Sequence, residues 1–269
     1  MMISSISVDP KSRSFRTRKK SRKKGHPFLL GCISFLFWIA VWEILALIVG
    51  KEVLVPSPLL VAKRVISLCG DALFRTSVLF SLLRVLLGFL AGVLFGCLFA
   101  VLTSYSKVIS SLADPMLNVI RSTPVASFIL LALVWINPQI LPAFISFLMV
   151  LPTVWLNLET GIKETPKVLD EAADVFGASP MQKLRYVSLP SAMPYLMSAC
   201  RTGFGLAWKS SIAAEVLCFP KNSIGGLLYE AKTGYETTDV FAYTLIVILF
   251  SILLEKLFTF LTERIGKRY

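Results

Sequence analysis

Six apolar stretches, at residues 28–49, 78–103, 114–136, 140–161, 192–217 and 240–261, leave this chain little choice of solvent. Each exceeds the roughly 20 residues that an α-helix needs to cross hydrocarbon, where every backbone N–H and C=O must find a partner inside the protein. The expected fold class is therefore an all-α integral membrane protein with about six transmembrane helices. Composition agrees, with 55% hydrophobic and only 16% charged residues, against about 25% charged in a typical soluble domain.

The charge is unevenly spread. The formal net charge is +12, and Lys11, Arg13, Arg16, Arg18, Lys19, Lys20, Arg22, Lys23 and Lys24 stand together without an acid among them. Such a run can serve nucleic acid, but only Phe15 is interleaved as a stacking group and an apolar span follows directly. It reads instead as a cytoplasmic anchor beside the lipid bilayer, with no nucleic-acid partner. Lys107, Lys163, Lys167, Lys183, Arg185, Arg264, Lys267 and Arg268 would share its side, with Lys51, Lys63, Arg64, Arg75, Lys221 and Lys232 opposite. Both termini are thus expected inside, with a tail at residues 1–27 and a transmembrane domain at 28–269. The first span lacks a small-x-small cleavage site before Lys51 and is expected to stay attached. Five scattered cysteines and a lone histidine, His26, offer no metal-ligand or catalytic spacing.

Within the spans, Gly88, Gly92, Gly96 and Ala100 recur every four residues and mark a helix-packing face where a second backbone can come close. Arg84 would snorkel outward or meet a carboxylate. In the third span, Arg121 and Pro124 are translocation-path candidates, because a proline frees carbonyls that can face a cavity; a kink packed on a neighbour is the alternative. The fifth span holds Arg201, Lys209 and Glu215, which at that depth line an aqueous path or pair with each other. Residues 59–68, with Lys63 and Arg64 opposite the aliphatics, read as an amphipathic helix on the outer interface.

Between the fourth and fifth spans, at about residues 163–190, lies a polar loop with helix signals. Thr165 and Pro166 supply a cap and a first-turn proline, and Gly177 a left-handed stop. Val168, Leu169, Ala172, Ala173 and Phe176 fall on one face, with Lys167, Asp170, Glu171 and Asp174 on the other. Ser179, Pro180 and Gln182 form a capping box for a second helix, which Leu189 and Pro190 are expected to end.

The order Glu171, Ala172, Ala173, then Gly177, Val187, Leu189 and Pro190 resembles the cytoplasmic loop of ABC importer permeases, with Val187 where that family usually has Ile. Ser81, Arg84, Gly88, Phe89 and Gly92, and Arg121 with Pro124, resemble the nitrate, sulfonate and taurine import group. Trp135, Ile136 and Asn137 depart from that group's Trp-Phe-Gly. The resemblance implies that residues 171–177 form a coupling helix seated on an ATPase, and that those seven loop residues carry the coupling. It further implies two ATPase subunits, an extracytoplasmic substrate-binding protein, a second permease copy in a homodimer, and the inner membrane as location. No phosphate-loop motif is present, so the chain is expected to be a permease without an ATPase site or cofactor of its own, ATP and Mg belonging to the partner. The suggested cargo is a small anion. An ion-coupled secondary carrier is the alternative, but it would leave the loop unexplained and predicts an inverted repeat that is not evident.

Overall fold

The computed structural model describes residues 27–266. The basic tail, His26, Lys267 and Arg268 lie outside them, as do the expectations placed there. By internal contacts the chain divides after Trp42. Of the first unit, the described residues form the start of α1 (Pro27–Val49), whose side chains from Gly31 onward are mostly exposed. The second unit contains everything that follows.

Here the apolar sequence becomes α2 (Pro58–Gly70), α3 (Ala72–Tyr105), α4 (Lys107–Ser122), α5 (Val125–Ala132), α6 (Leu141–Lys163), α7 (Lys167–Val175) and α8 (Pro180–Lys183). A π turn (Leu184–Ser188) leads into α9 (Leu189–Cys218), followed by α10 (Ile224–Thr233) and α11 (Thr237–Gly266). No strand occurs among the described residues.

The chief packing is of α6 between α3 and α9. Glycines set the first contact. A Cβ on Gly88 would fall 2.1 Å from the Ala143 carbonyl oxygen, on Gly92 2.6 Å from Val150 Cβ, and on Gly96 2.9 Å from Val154 Cβ. Only bare backbone fits there. Polar side chains then tie the helices: Trp155 Nε1 donates to Thr103 Oγ1 at 2.9 Å and Ser146 Oγ to the Ala207 carbonyl at 2.9 Å. Phe89, Phe204 and Phe258 join α3, α9 and α11, with ring centroids 5.1 to 5.4 Å apart.

Among the described residues four helical segments, Gly31–Val49, Ala72–Tyr105, Leu141–Lys163 and Thr237–Phe260, are long and apolar enough to cross a membrane. The third expected span is not one helix. It is α4 and α5 meeting at 103°, and would be a fifth crossing only as a broken one. Pro124 explains the break, since it offers no N–H to continue α4 and holds Thr123 extended at ψ 127°. The fifth, α9, has 30 residues, but its polar groups keep it out of the apolar set.

Candidate functional site

The polar loop is built from local chemistry. At the start of α7 the expected cap is corrected: Thr165 Oγ1 donates back to the Ile162 carbonyl at 2.8 Å, and Pro166 is the N-cap residue, with no side-chain cap bond. At its end Gly177 has φ +67°, and the Ala178 and Gly177 N–H groups donate to the Ala173 and Asp174 carbonyls, both at 2.9 Å. That pair of bonds is a Schellman stop. The capping box of Ser179 and Gln182 is closed in both directions.

Leu189 and Pro190 do not end the second helix, as their position suggests. The π turn carries the chain from α8 directly into α9, with the Leu189 N–H reaching the Leu184 carbonyl and Pro190 in the first turn, where its missing N–H costs nothing. The loop is thereby joined to a 30-residue helix. Lys183 clamps it from within, its Nζ 2.7 Å from Asp174 and 3.3 Å from Asp170. The hydrogen bond to Asp174, then that to Asp170, raises the Lys183 pKa above its ordinary value.

No residue of α7 is buried in the chain. Glu171 and Ala172 are exposed, Ala173 half-buried, and Phe176 is 88% exposed with Val168 and Val175 also open. Val187 and Leu189 are half-buried, and Pro190 is exposed. The loop thus offers an apolar surface, with a carboxylate beside it, that nothing among the described residues covers.

The charges of α9 separate into two environments. Glu215 is fully buried and takes the pairing option, with Arg84 of α3 as its partner. Arg84 Nη1 donates to Glu215 Oε1 at 3.1 Å and to the Asn222 carbonyl at 3.1 Å. Nη2 reaches the Lys221 carbonyl at 2.8 Å and Gln139 Oε1 at 3.1 Å, and Nε the Gln139 carbonyl at 3.2 Å. All five guanidinium N–H groups are thereby used. Glu215 Oε2 accepts from Ser81 Oγ at 2.8 Å and from the Gly225 N–H at 3.1 Å, placing the carboxylate at the positive end of α10. This is a knot that ties α3, α9 and the start of α10 together.

Arg201 and Lys209 line a groove of about 640 Å³ between α9 and α11, together with Glu255 and Lys256. Lys209 Nζ lies 3.5 Å from Glu255 Oε1, and Arg201 Nη2 donates to Thr262 Oγ1 at 3.4 Å. Sequence reasoning missed Glu255 and Lys256, which sit in the apolar run of α11 and were visible only as two charges within it. Arg121 and Pro124 are elsewhere, both exposed at the α4–α5 break. Arg64 of α2 grips Asp239 of α11 through Nε and Nη2, each at 2.6 Å. That hydrogen bond raises the Arg64 pKa further.

Among known proteins, residues 92–269 match the family described as binding-protein-dependent transport system inner membrane component. The taurine transport system permease protein TauC of Escherichia coli (strain K12) is 25% identical, over 80% of this chain and 80% of its own. The nitrate import permease protein NrtB of Synechococcus elongatus is 26% identical, over 86% of this chain and 85% of its own. A crystal structure of an amino acid ABC transporter with histidines shares the fold, with a TM-score of 0.61 at 22% identity, covering 73% of this chain and 94% of that one. The chain belongs to the binding-protein-dependent inner-membrane components and is the multi-pass, non-catalytic permease of an ABC importer, a family that works with a separate ATPase and a separate binding protein.

Proposed function

We propose that this permease carries a small anion of the nitrate, sulfonate or taurine kind, as a homodimer on two ATPase subunits, with both termini and the 163–190 loop in the cytoplasm. The observation that carries the cargo assignment is the α9–α11 groove, where, among the described lining residues, Lys209 and Lys256 stand with the one carboxylate of Glu255. Charged side chains at spanning depth are expensive against lipid, so this wall belongs to an aqueous path or to a second copy. TauC and NrtB, named for taurine and nitrate, lend the chemical class.

In this reading α7 is the coupling element. Glu171 and the exposed Val168 and Phe176 meet the ATPase, and Ala172 and Ala173 let its backbone approach. Gly177 fixes the turn, while Val187, Leu189 and Pro190 join the loop to α9, so that a push on α7 moves the helix bearing Arg201 and Lys209. Arg121 and Pro124 serve the path at the α4–α5 break. The test is gentle affinity purification of the tagged chain from its native membrane. An ATPase and a binding protein loaded with an anion are expected. A binding protein holding a neutral or cationic solute would overturn the cargo assignment, and persistent absence of the ATPase after cross-linking would overturn the coupling assignment.

A further inference from the structure

Trp208 fixes the spacing of α9 and α11 by donating Nε1 to the Val247 carbonyl at 3.1 Å. One turn along, Gly205 leaves α9 bare, and the Glu255 carboxylate rests on it: a Cβ there would fall 2.7 Å from Glu255 Oε1. The same oxygen accepts from Ser251 Oγ at 3.3 Å and faces Lys209 Nζ at 3.5 Å. A strong ammonium–carboxylate bond closes to about 2.7–2.9 Å. This pair is looser, and its side chains are 67% and 43% exposed, unlike the saturated Arg84–Glu215 knot.

We infer that Glu255 is the resident occupant of an anion subsite at Lys209, displaced from its seat on Gly205 by each passing anion. The inference rests on the anion-cargo reading. A conduit must bind well enough to admit its cargo and weakly enough to release it. A tethered carboxylate does both: it keeps Lys209 compensated while the path is empty, and it competes for Lys209 when cargo must leave. Because Lys209 and Lys256 line the groove beside the Glu255 carboxylate, an entering monoanion can take its place at Lys209 without a proton having to move. A neutral solute would not dislodge Glu255.

The experiment uses the full chain, freed of its native cysteines, assembled with its ATPase in nanodiscs. Leu206→Cys, lining the groove, is the reporter. Its reaction rate with 2-sulfonatoethyl methanethiosulfonate, an anionic probe, is divided by that with neutral methyl methanethiosulfonate. Glu255→Gln should raise this ratio about tenfold, and Gly205→Ala, which keeps the charge but pushes the carboxylate off its seat, should raise it several-fold; adding Lys209→Gln should abolish both gains. A ratio unchanged in both variants, a rise with Glu255→Gln alone, a gain that survives Lys209→Gln, or a reporter that neither reagent reaches would each overturn the inference. The readout needs no transport substrate. A neutral ligand in the binding protein would sink the cargo reading while leaving this result to stand or fall by itself.

Discussion

Arg84 and Glu215 show how much one pair can fix when all its valences are met. The carboxylate is 0% exposed and the guanidinium residue 8%, so neither charge keeps its hydration; each relies on the other, Arg84 also on the carbonyls of Gln139, Lys221 and Asn222, and Glu215 on the Ser81 hydroxyl and the Gly225 N–H. Removing one partner strands the other, a loss of about 3–5 kcal/mol, whereas replacing both with apolar groups of like volume is often nearly neutral. Arg84→Ala and Glu215→Ala should therefore each destabilise the detergent-solubilised protein by about that amount, and Arg84→Met with Glu215→Leu should recover most of it. Denaturant unfolding decides: single variants within about 1 kcal/mol of the parent would mean that water reaches the pair. The sequence offered Arg84 and Ser81 on one helical face and Glu215 after two alanines, but not their meeting. The partners lie 131 and 134 residues apart, and the remaining acceptors are the Gln139 side chain and loop carbonyls, the latter announced by no side-chain pattern. Arg64 is a similar case: amphipathic spacing put it on a polar face, while its grip on Asp239 depends on where α11 begins.

At the scale of elements, the α3 stripe was legible because four-residue spacing and lack of side chains together describe a close helix contact. Its severity is graded along the helix. A methyl group at Gly88 meets a backbone carbonyl at 2.1 Å, whereas at Gly96 it meets a valine side chain at 2.9 Å. Overpacking typically costs about 1–3 kcal/mol, with rigid backbone the worse obstacle. Gly88→Ala should thus lower the melting temperature more than Gly96→Ala, and the reverse order would deny that α6 approaches closest at Ala143. The break at Pro124 and the π turn after Lys183 were less legible. Pro124 stops α4 by its own chemistry, but the 103° at which α5 leaves, like the π turn, depends on where neighbouring helices need the chain to go. In the 163–190 loop, Lys183 bonds Asp170 and Asp174 on α7. Its folded pKa is raised, so the clamp contributes fully below lysine's ordinary value and fades only as pH climbs through the raised one. At neutral pH Lys183→Ala should loosen α7 and reduce the ATPase retained on purification, with insertion unchanged; equal retention would show that α7 holds its place without the clamp.

For the whole molecule, the helix that failed the apolar measure, α9, is the one that fixes topology. Its 30 residues extend about 45 Å at 1.5 Å per residue, more than the roughly 30 Å of hydrocarbon. Its two ends therefore lie on opposite sides of any bilayer that α9 crosses. One end carries the 163–190 loop with Lys163, Lys167, Lys183 and Arg185; the other leads to Lys221 and α10. Counting bases alone favours the loop as the inner end, and the proposed coupling role requires it, since ATP is cytoplasmic. Glu171 and Lys221 are both exposed and far apart along this axis. In a cysteine-free chain in intact cells whose outer surface is open to the reagent, Lys221→Cys should react with a membrane-impermeant maleimide, and Glu171→Cys only after the inner membrane is permeabilised. Labelling of Glu171→Cys in sealed cells, with Lys221→Cys protected, would invert the protein and put α7 out of reach of any ATPase. The ATPase would then need a different docking surface.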